Sequence, residues 1–328
     1  MTKDNVLILL RDAEGYISGE DIARGLGLSR VSVNKAVASL ISDGYDISSV
    51  SGRGYRLISS PDLLTLGEIA SYLSPEHRKT YLTVFETIDS TNTYLKQHFE
   101  DFGDLSCVVA DCQTGGRGRR GRTFMSPPRT GIYMSFIFKP DREPYLCQDF
   151  TGYMAVAVCD GIKKCCGLDP QIKWTNDIIM GDLKVSGILT EIAVESESRE
   201  LQYLISGIGI NVNQTASDFP EELSKIAGSV SMAAGHKIRR AELCACVIES
   251  VHAMYDAWLS GDRSYVKRYA ERCITCGREV KVLKVSGDVT GYAVGIDDEF
   301  GLIVRYADGS EETIRFGEVS VRGLYGYR

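Results

Sequence analysis

The sequence predicts an α+β protein with more than one domain. Three observations carry this: capped helical segments at the N-terminus, a later run of strands in which two meet at Gly181-Asp182, and short alternating runs that close the chain. A tight Gly-Asp connection joins antiparallel neighbours, so the central sheet is mixed or antiparallel rather than doubly wound. The 328 residues suffice for two or three domains, at roughly 100–200 residues each. With 44% hydrophobic and 25% charged residues, a packed core is expected and a disordered chain is excluded. No window approaches about 18 consecutive apolar residues, and Met1-Thr2-Lys3-Asp4 opens no signal-peptide pattern. A cytoplasmic location with no membrane attachment is expected. The ten cysteines form no even framework and read as reduced thiols. Cys273-Ile274-Thr275-Cys276 is the one CxxC, without the second pair that a structural zinc site needs.

The first domain is expected over residues 1–60. Val6, Leu7, Leu9 and Leu10 recur at helical spacing; Ser18 and Asp21 make an S-x-x-D cap for a second helix; Gly25-Leu26-Gly27 breaks it. Ser29 caps a third helix in which Val33, Ala36, Val37, Leu40 and Ile41 share a face, and Gly44 ends it. This is a helix-turn-helix pattern. The opposite face carries Val31 and Lys35 flanked by Arg30, Ser32 and Asn34, groups that reach base edges and phosphates. Runs 45–50 and 55–59 flank Ser51-Gly52-Arg53-Gly54 as a two-stranded wing, with Arg53 and Arg56 placed for the DNA backbone. The whole chain carries a net charge of -7, yet residues 1–60 hold seven basic and seven acidic side chains. A neutral module binds DNA weakly, because affinity for phosphates scales with the counterions released, so a homodimer is expected to hold a site. Ser59-Ser60-Pro61-Asp62 marks the boundary.

The second domain is expected over 61–272. Strands are read at 81–87, 105–111, 131–139, 172–180, 183–194 and 202–212, with helices at 151–165 and 239–259. Gly115-Gly116-Arg117-Gly118-Arg119-Arg120-Gly121-Arg122 fits G-x-G-x-x-G and comes within one residue of a Walker A loop. Both of those readings need a helix immediately after the glycines, whereas Ser126-Pro127-Pro128 and a strand follow. What remains is a loop of four glycines and four arginines, suited to close on an anion through bidentate guanidinium contacts. Ser90-Thr91-Asn92 offers donors and acceptors for a neutral polar heterocycle, or a plain helix cap. On the two arms of the hairpin, Asn176, Asp177 and Lys184 should lie close together; Asp177 is suited to help hold Mg²⁺ and Lys184 to bridge a carboxylate and a phosphate. The four histidines, His77, His98, His236 and His252, match no motif.

Taken in order, Ser90-Thr91-Asn92, the Gln113–Arg122 run, Lys173-Trp174-x-Asn176-Asp177, Lys184-x-x-Gly187-Ile188-Leu189 and Gly207-Ile208-Gly209-Ile210-Asn211-Val212-Asn213 resemble the biotin protein ligases. With the winged helix in front, the chain resembles the bifunctional biotin ligase and biotin operon repressors over essentially its whole length. The resemblance implies a central domain of class II synthetase and lipoate-biotin ligase type, and a C-terminal SH3-like β-barrel over 273–328, where runs 279–285, 290–296, 302–306 and 312–316 fit. It implies biotin contacts from Ser90, Thr91, Asn92, Gln113, Arg117, Gly118, Arg119 and Lys184, with Lys184 and Arg119 carrying the chemistry. It implies nucleotide contacts from Arg120, Arg122, Asn176, Asp177, Gly207 and Asn211. Thr175 stands where many relatives have proline, and Ala227-Gly228-Ser229-Val230 replaces a common Ala-Thr-Ser-Leu. The implied function is MgATP-dependent conversion of biotin to biotinyl-5'-AMP, transfer to a lysine of the biotin carboxyl carrier domain of acetyl-CoA carboxylase, and adenylate-dependent binding of operator DNA. A lipoate ligase and a metabolite-sensing transcription factor without ligase activity are the alternatives.

Overall fold

The structure, a computed structural model, describes residues 2–283, 287–315 and 318–321. The chain divides into two compact units, one of Met1–Lys79 with Arg239–Ala245, the other of Thr80–Ile238 with Cys246–Arg328.

In the first unit, α1 (Thr2–Asp12), α2 (Gly19–Leu26) and α3 (Arg30–Ser42) enclose a core of Val6, Leu7, Leu10, Ile22, Val33, Val37 and Leu40. The caps form as expected: the Ser18 hydroxyl oxygen accepts from Asp21 N, that of Ser29 accepts from Ser32 N, and Gly27 closes α2 at φ 64°. Ile41 departs from its expected buried stripe. It is 49% exposed, since it lies about 100° round the helix from Leu40 and past the last core contact. Strands β1 (Asp46–Val50) and β2 (Gly54–Ser59) pair antiparallel as the wing. Gly54 is required there, because a Cβ would overlap the Ile17 backbone that bridges to Tyr55.

The unit does not end at the wing. A helix not expected from the sequence, α4 (Leu66–Tyr72), packs on α1. Between them the Arg11 guanidinium donates to both Glu68 oxygens at 2.9 and 3.0 Å and to the Tyr72 hydroxyl at 2.7 Å. Within the same unit Arg240, 1% exposed, donates through its backbone N and Nε to the Asp62 carboxylate, each at 3.0 Å.

The second unit is built on a seven-stranded sheet: β3 (Leu82–Ile88), β4 (Ser106–Gln113), β5 (Gly131–Phe138), β6 (Gln171–Lys173), β7 (Asp177–Met180), β8 (Leu183–Val194) and β9 (Leu201–Asn211), in the order β3-β4-β5-β9-β8-β7-β6. Only β3 and β4 run parallel, so the sheet is mixed. The parallel pair is joined through α5 (Thr91–Gln97), as a crossover requires. The expected single strand over 172–180 is two strands, β6 and β7, split by a turn at Trp174–Asn176. Trp174 leaves the ladder because its backbone N donates to Thr275 Oγ1 (3.0 Å) and its indole to the Phe300 carbonyl (2.8 Å), partners that no local pattern reveals.

Every residue of β5 is buried. Ser135 meets Asn92 of α5, whereas Phe138 packs edge-on against Phe150, at the start of α6 (Phe150–Cys166), with ring centroids 4.7 Å apart. Alternation along a strand therefore places α5 and α6 on opposite faces of the sheet. The remaining helices are α7 (Val230–Ala234), α8 (Arg240–Ser260), whose first residues belong to the first unit, and α9 (Ser264–Arg272).

A separate antiparallel sheet closes the chain: β10 (Glu279–Leu283), β11 (Val289–Ile296), β12 (Leu302–Arg305), β13 (Glu311–Ile314) and β14 (Glu318–Val321), ordered β13-β12-β11-β10-β14. The expected ends of two of these strands, at 284–285 and 316, lie outside the described residues, and β14 is an additional strand. The Asp308-Gly309 turn forms, with Gly309 at φ 84°.

Candidate active site and nucleic-acid face

Three strands floor a cavity of about 290 Å³ in the second unit. Their registers align Ser135, Gly207 and Leu189 in one row and Tyr133, Gly209 and Gly187 in the next. Glycine recurs on this floor because side chains from outside the sheet lie directly upon it. A Cβ on Gly207 would overlap the Asn92 amide, and one on Gly209 would overlap the Phe124 ring.

Over this floor stands the start of α5. Ser90 is its N-cap and, with Thr91 and Asn92, is buried. Thr91 N donates to Gln113 Oε1 at 2.9 Å, Gln113 Nε2 donates to the Ser126 hydroxyl at 3.1 Å, and the Thr91 hydroxyl lies 2.6 Å from that of Ser135. Ser90-Thr91-Asn92 is thus both a helix cap and part of the cavity wall.

The arginine loop is folded back on itself. Gly118 N donates to Arg122 O (2.7 Å), Arg122 N to Arg119 O (3.2 Å) and Phe124 N to Gly116 O (3.0 Å). No α-helix follows it; a single 3-10 turn, Arg119–Gly121, precedes the strand β5. Arg117, Gly118, Arg119 and Arg122 line the cavity, whereas Arg120, exposed and at φ 56°, is not among the lining residues. Arg119 donates to Asn176 Oδ1 at 2.9 Å, and Asn176 is locked to β8 by its Nδ2 bond to Ile188 O (2.9 Å) and by Ile188 N to Asn176 O (3.0 Å). The turn that interrupts β6 and β7 therefore presents Asn176 to the arginine loop.

Lys184 Nζ sits 2.6 Å from Asp177 Oδ1 across the β7–β8 hairpin, which brings the three expected hairpin residues together. The backbone of Lys184 is held by the 226–228 segment, through Lys184 N to Ile226 O (2.8 Å) and Gly228 N to Lys184 O (2.9 Å). Asn211 Nδ2 donates to Gly228 O at 3.0 Å, tying β9 to that same segment.

Sequence reasoning missed several lining residues. Lys173 and Trp174 belong to a motif in which only Asn176 and Asp177 carry an expected contact; Phe219, Leu223 and Ile226 add apolar surface. Phe124 follows the arginine loop directly, and its role could have been read from Gly209, whose missing Cβ makes room for a ring. Five cationic side chains, Arg117, Arg119, Arg122, Lys173 and Lys184, face a single carboxylate, Asp177. A cavity lined by both apolar and cationic side chains suits an acid with an apolar body together with a polyphosphate. None of the four histidines lines it.

Residues 84–211 match the biotin/lipoate A/B protein ligase family, 2–56 match an HTH domain, and 275–322 match the biotin protein ligase C-terminal domain. The bifunctional ligase/repressor BirA of Bacillus subtilis is 35% identical over 311 residues, covering 94% of this chain and 95% of that protein. The chain belongs to the BirA family of bifunctional ligase/repressors. The BirA of Escherichia coli is 28% identical over 327 residues, 98% of each chain. In structure, this member of the BirA family resembles the Aquifex aeolicus biotin protein ligase in complex with biotin and ATP, at a TM-score of 0.64 and 28% identity, covering 74% of this chain and 99% of that one.

The winged helix of this BirA-family chain presents Arg30, Val31, Asn34 and Lys35 to solvent, with Val31 63% exposed. Ser32 is partly buried and its hydroxyl lies 2.9 Å from that of Ser29, so it serves the cap. Asn34 Oδ1 accepts from the Tyr55 hydroxyl (2.8 Å), which ties the recognition helix to the wing, and the Arg53 guanidinium lies over the Tyr16 ring at 4.5 Å. Arg30, Val31 and Lys35 are thus exposed on the outer face of α3. Among the described residues no helix is long and apolar enough to cross a membrane.

Proposed function

We propose that the protein activates biotin with ATP to biotinyl-5'-AMP, transfers the biotinyl group to a lysine of a biotin carboxyl carrier domain, and in its adenylate-bound form binds operator DNA to repress biotin synthesis genes. The observation that carries the reading is the lining of the cavity: five cations and one carboxylate among the described residues, the Ser90-Thr91-Asn92 and Gln113 amide-hydroxyl cluster, and the apolar Phe219, Leu223 and Ile226. We assign residues 1–60 to DNA binding, 61–272 to catalysis and 273–328 to the C-terminal barrel.

The first step forms a bond between a biotin carboxylate oxygen and the α-phosphorus, and breaks the bond from that phosphorus to the oxygen bridging it to the β-phosphate, releasing pyrophosphate. Two anions must approach each other. Lys184 sits between them and neutralises both, leaving Asp177 for the phosphates to replace. Arg119, aimed by Asn176, and Arg117 with Arg122 close over the phosphates, while Phe219, Leu223 and Ile226 keep water from the mixed anhydride. In the second step the carrier lysine amine attacks the acyl carbon and AMP leaves. Magnesium enters as MgATP, where it neutralises phosphate charge. Asp177 is the one carboxylate on the cavity wall, and among the described residues no cluster of three or more metal-binding side chains exists. That donor set fits an ion held mainly by substrate phosphates and waters with at most one protein ligand.

The test is mass spectrometry of the protein incubated with biotin, MgATP and a carrier domain. A biotinylated carrier lysine with matching pyrophosphate release is expected; release of pyrophosphate only with lipoate, or none at all, overturns the reading.

A further inference from the structure

A side chain outside every motif above governs how the cavity reads its substrate. Glu191 lies on β8, two residues beyond Leu189 on the same face of the sheet. Its Oε2 accepts from Asn92 Nδ2 at 2.9 Å, and its Oε1 accepts from Lys96 Nζ at 2.5 Å. A carboxylate paired with an ammonium has only lone pairs to offer, so the Asn92 atom facing it is the NH₂ group. The second Nδ2 proton is directed to Leu189 O at 3.4 Å. Asn92 Oδ1 is then turned toward Ser135, whose hydroxyl donates to it at 2.5 Å. Ser135 has one proton and gives it to an atom that can only accept, so the neighbouring Thr91 hydroxyl donates toward Ser135.

The bookkeeping of donors leaves Asn92 with one unused capacity, the second lone pair of Oδ1. Gln113 is left with the opposite sign: its Oε1 accepts from the Thr91 backbone N, and one Nε2 proton beyond the bond to Ser126 remains. The buried end of the cavity thus presents an acceptor at Asn92 and a donor at Gln113.

We propose that Glu191 is a positioning residue that fixes the Asn92 amide with its oxygen toward the substrate, so that the site selects an acid whose ring carries an N–H donor beside an acceptor. This rests on the functional reading above, in which the ring is the ureido ring of biotin. Without Glu191 the Asn92 amide can flip, present N–H to N–H, and lose its discrimination. A site built around such a hydrogen bond rejects a ligand lacking the donor far more strongly than a purely apolar pocket rejects a change of shape.

The experiment measures pyrophosphate release with biotin and with two analogues, each methylated at one ureido nitrogen, for wild type and Glu191→Gln. Glutamine is isosteric but can either donate or accept. Wild type should prefer biotin over at least one analogue by about 10-fold or more in kcat/KM. In the variant that preference should shrink to about threefold or less, with the loss for biotin appearing mainly in KM and not in kcat. Because the preference is a ratio, a lower yield of folded variant cancels from it. An unchanged ratio, whatever the melting temperature does, overturns the role of Glu191. Failure of wild type to release pyrophosphate with biotin would instead overturn the functional reading, and is visible before any variant is made.

Discussion

Lys184 and Asp177 form an ion pair of 2.6 Å across the β7–β8 hairpin, inside a cavity where, among the described residues, Asp177 is the sole carboxylate. The pair holds the ammonium in place, and under the proposed function phosphates compete with Asp177 for it. Lys184→Ala should lower adenylate synthesis by about 100-fold or more, since the carboxylate then approaches the triphosphate without its main counter-charge. Biotin-dependent pyrophosphate release measures this directly; a rate like that of wild type removes Lys184 from the chemistry.

Arg119 is held by Asn176, which is itself fixed to Ile188. Arg119→Ala should accelerate biotinyl-5'-AMP dissociation by about 10-fold while changing ATP affinity less, because loop closure governs residence time. Asn176→Ala should reproduce most of that change, because Arg119 then loses the amide oxygen that holds it. Stopped-flow release of the adenylate from both variants is the check, and equal losses for ATP and adenylate would make Arg119 a general phosphate contact.

Gly209 lies where the Phe124 ring covers the sheet. Gly209→Ala should push that ring, and with it the end of the arginine loop, off the floor, at a cost of about 1–3 kcal/mol to stability or to ligand affinity. The backbone of Gly209, held between β5 and β8, directs the added methyl onto that ring. Thermal melts with and without biotin would locate the loss. A variant with unchanged melting and unchanged biotin binding shows that Phe124 can move at no cost.

These residues also mark how far the sequence could be read. Gly207, Gly209 and Asn211 alternate, a strand pattern with bare positions, and Ser126-Pro127-Pro128 with the strand after it separates the arginine loop from a phosphate-binding helix. Both readings rest on local chemistry. The split of 172–180 depends on Thr275 and Phe300, partners about a hundred residues away, and no periodicity encodes them. In α9, Tyr265, Val266 and Tyr269 sit at helical spacing and are buried, but the charged residues between them hide the stripe. Glu191 stayed invisible because the one acid of β8 looks like a solvent-facing charge until its partner Asn92, on a distant helix, is known.

Burial pushes the Glu68 carboxyl above the usual carboxylate range, against the opposing pull of Arg11 and the Tyr45 hydroxyl. Only 2% of its side chain remains in water, so lost hydration outweighs the single ion pair. The folded state therefore binds this proton more readily than the unfolded chain. Its contribution to stability is complete below the unfolded value near 4.5 and is lost as the pH rises through the folded one. Comparing melting temperatures of wild type and Glu68→Gln from pH 7 down to pH 5 isolates the effect. The difference should move in favour of wild type as the pH falls; a constant difference would place the Glu68 titration at its ordinary value.

The last prediction concerns DNA. Residues 1–60 carry equal numbers of acidic and basic side chains, and Arg30, Val31, Asn34 and Lys35 are the exposed side chains in the first turns of α3. One copy has few phosphate contacts available, so at physiological salt it should bind too weakly to repress. A two-fold dimer presents two such helices about one or more helical turns apart and makes the operator an inverted repeat. Biotinyl-5'-AMP tightens operator binding if it favours that dimer, since a ligand stabilises whichever assembly binds it better. A carrier domain, by consuming the adenylate, then relieves repression. Removing residues 1–60 is a poor test, because Arg11 and Ser60 go with them and Glu68 is left buried without its cation. Point changes avoid this. Lys35→Ala and Arg30→Ala should each weaken operator binding, and where the lost contact is a phosphate they should lower the slope of log affinity against log salt by about one per protomer. Both should leave carrier biotinylation intact. The decisive measurement is an operator titration at fixed salt with and without biotinyl-5'-AMP. Coincident curves would mean that the winged helix does not sense the state of the ligase.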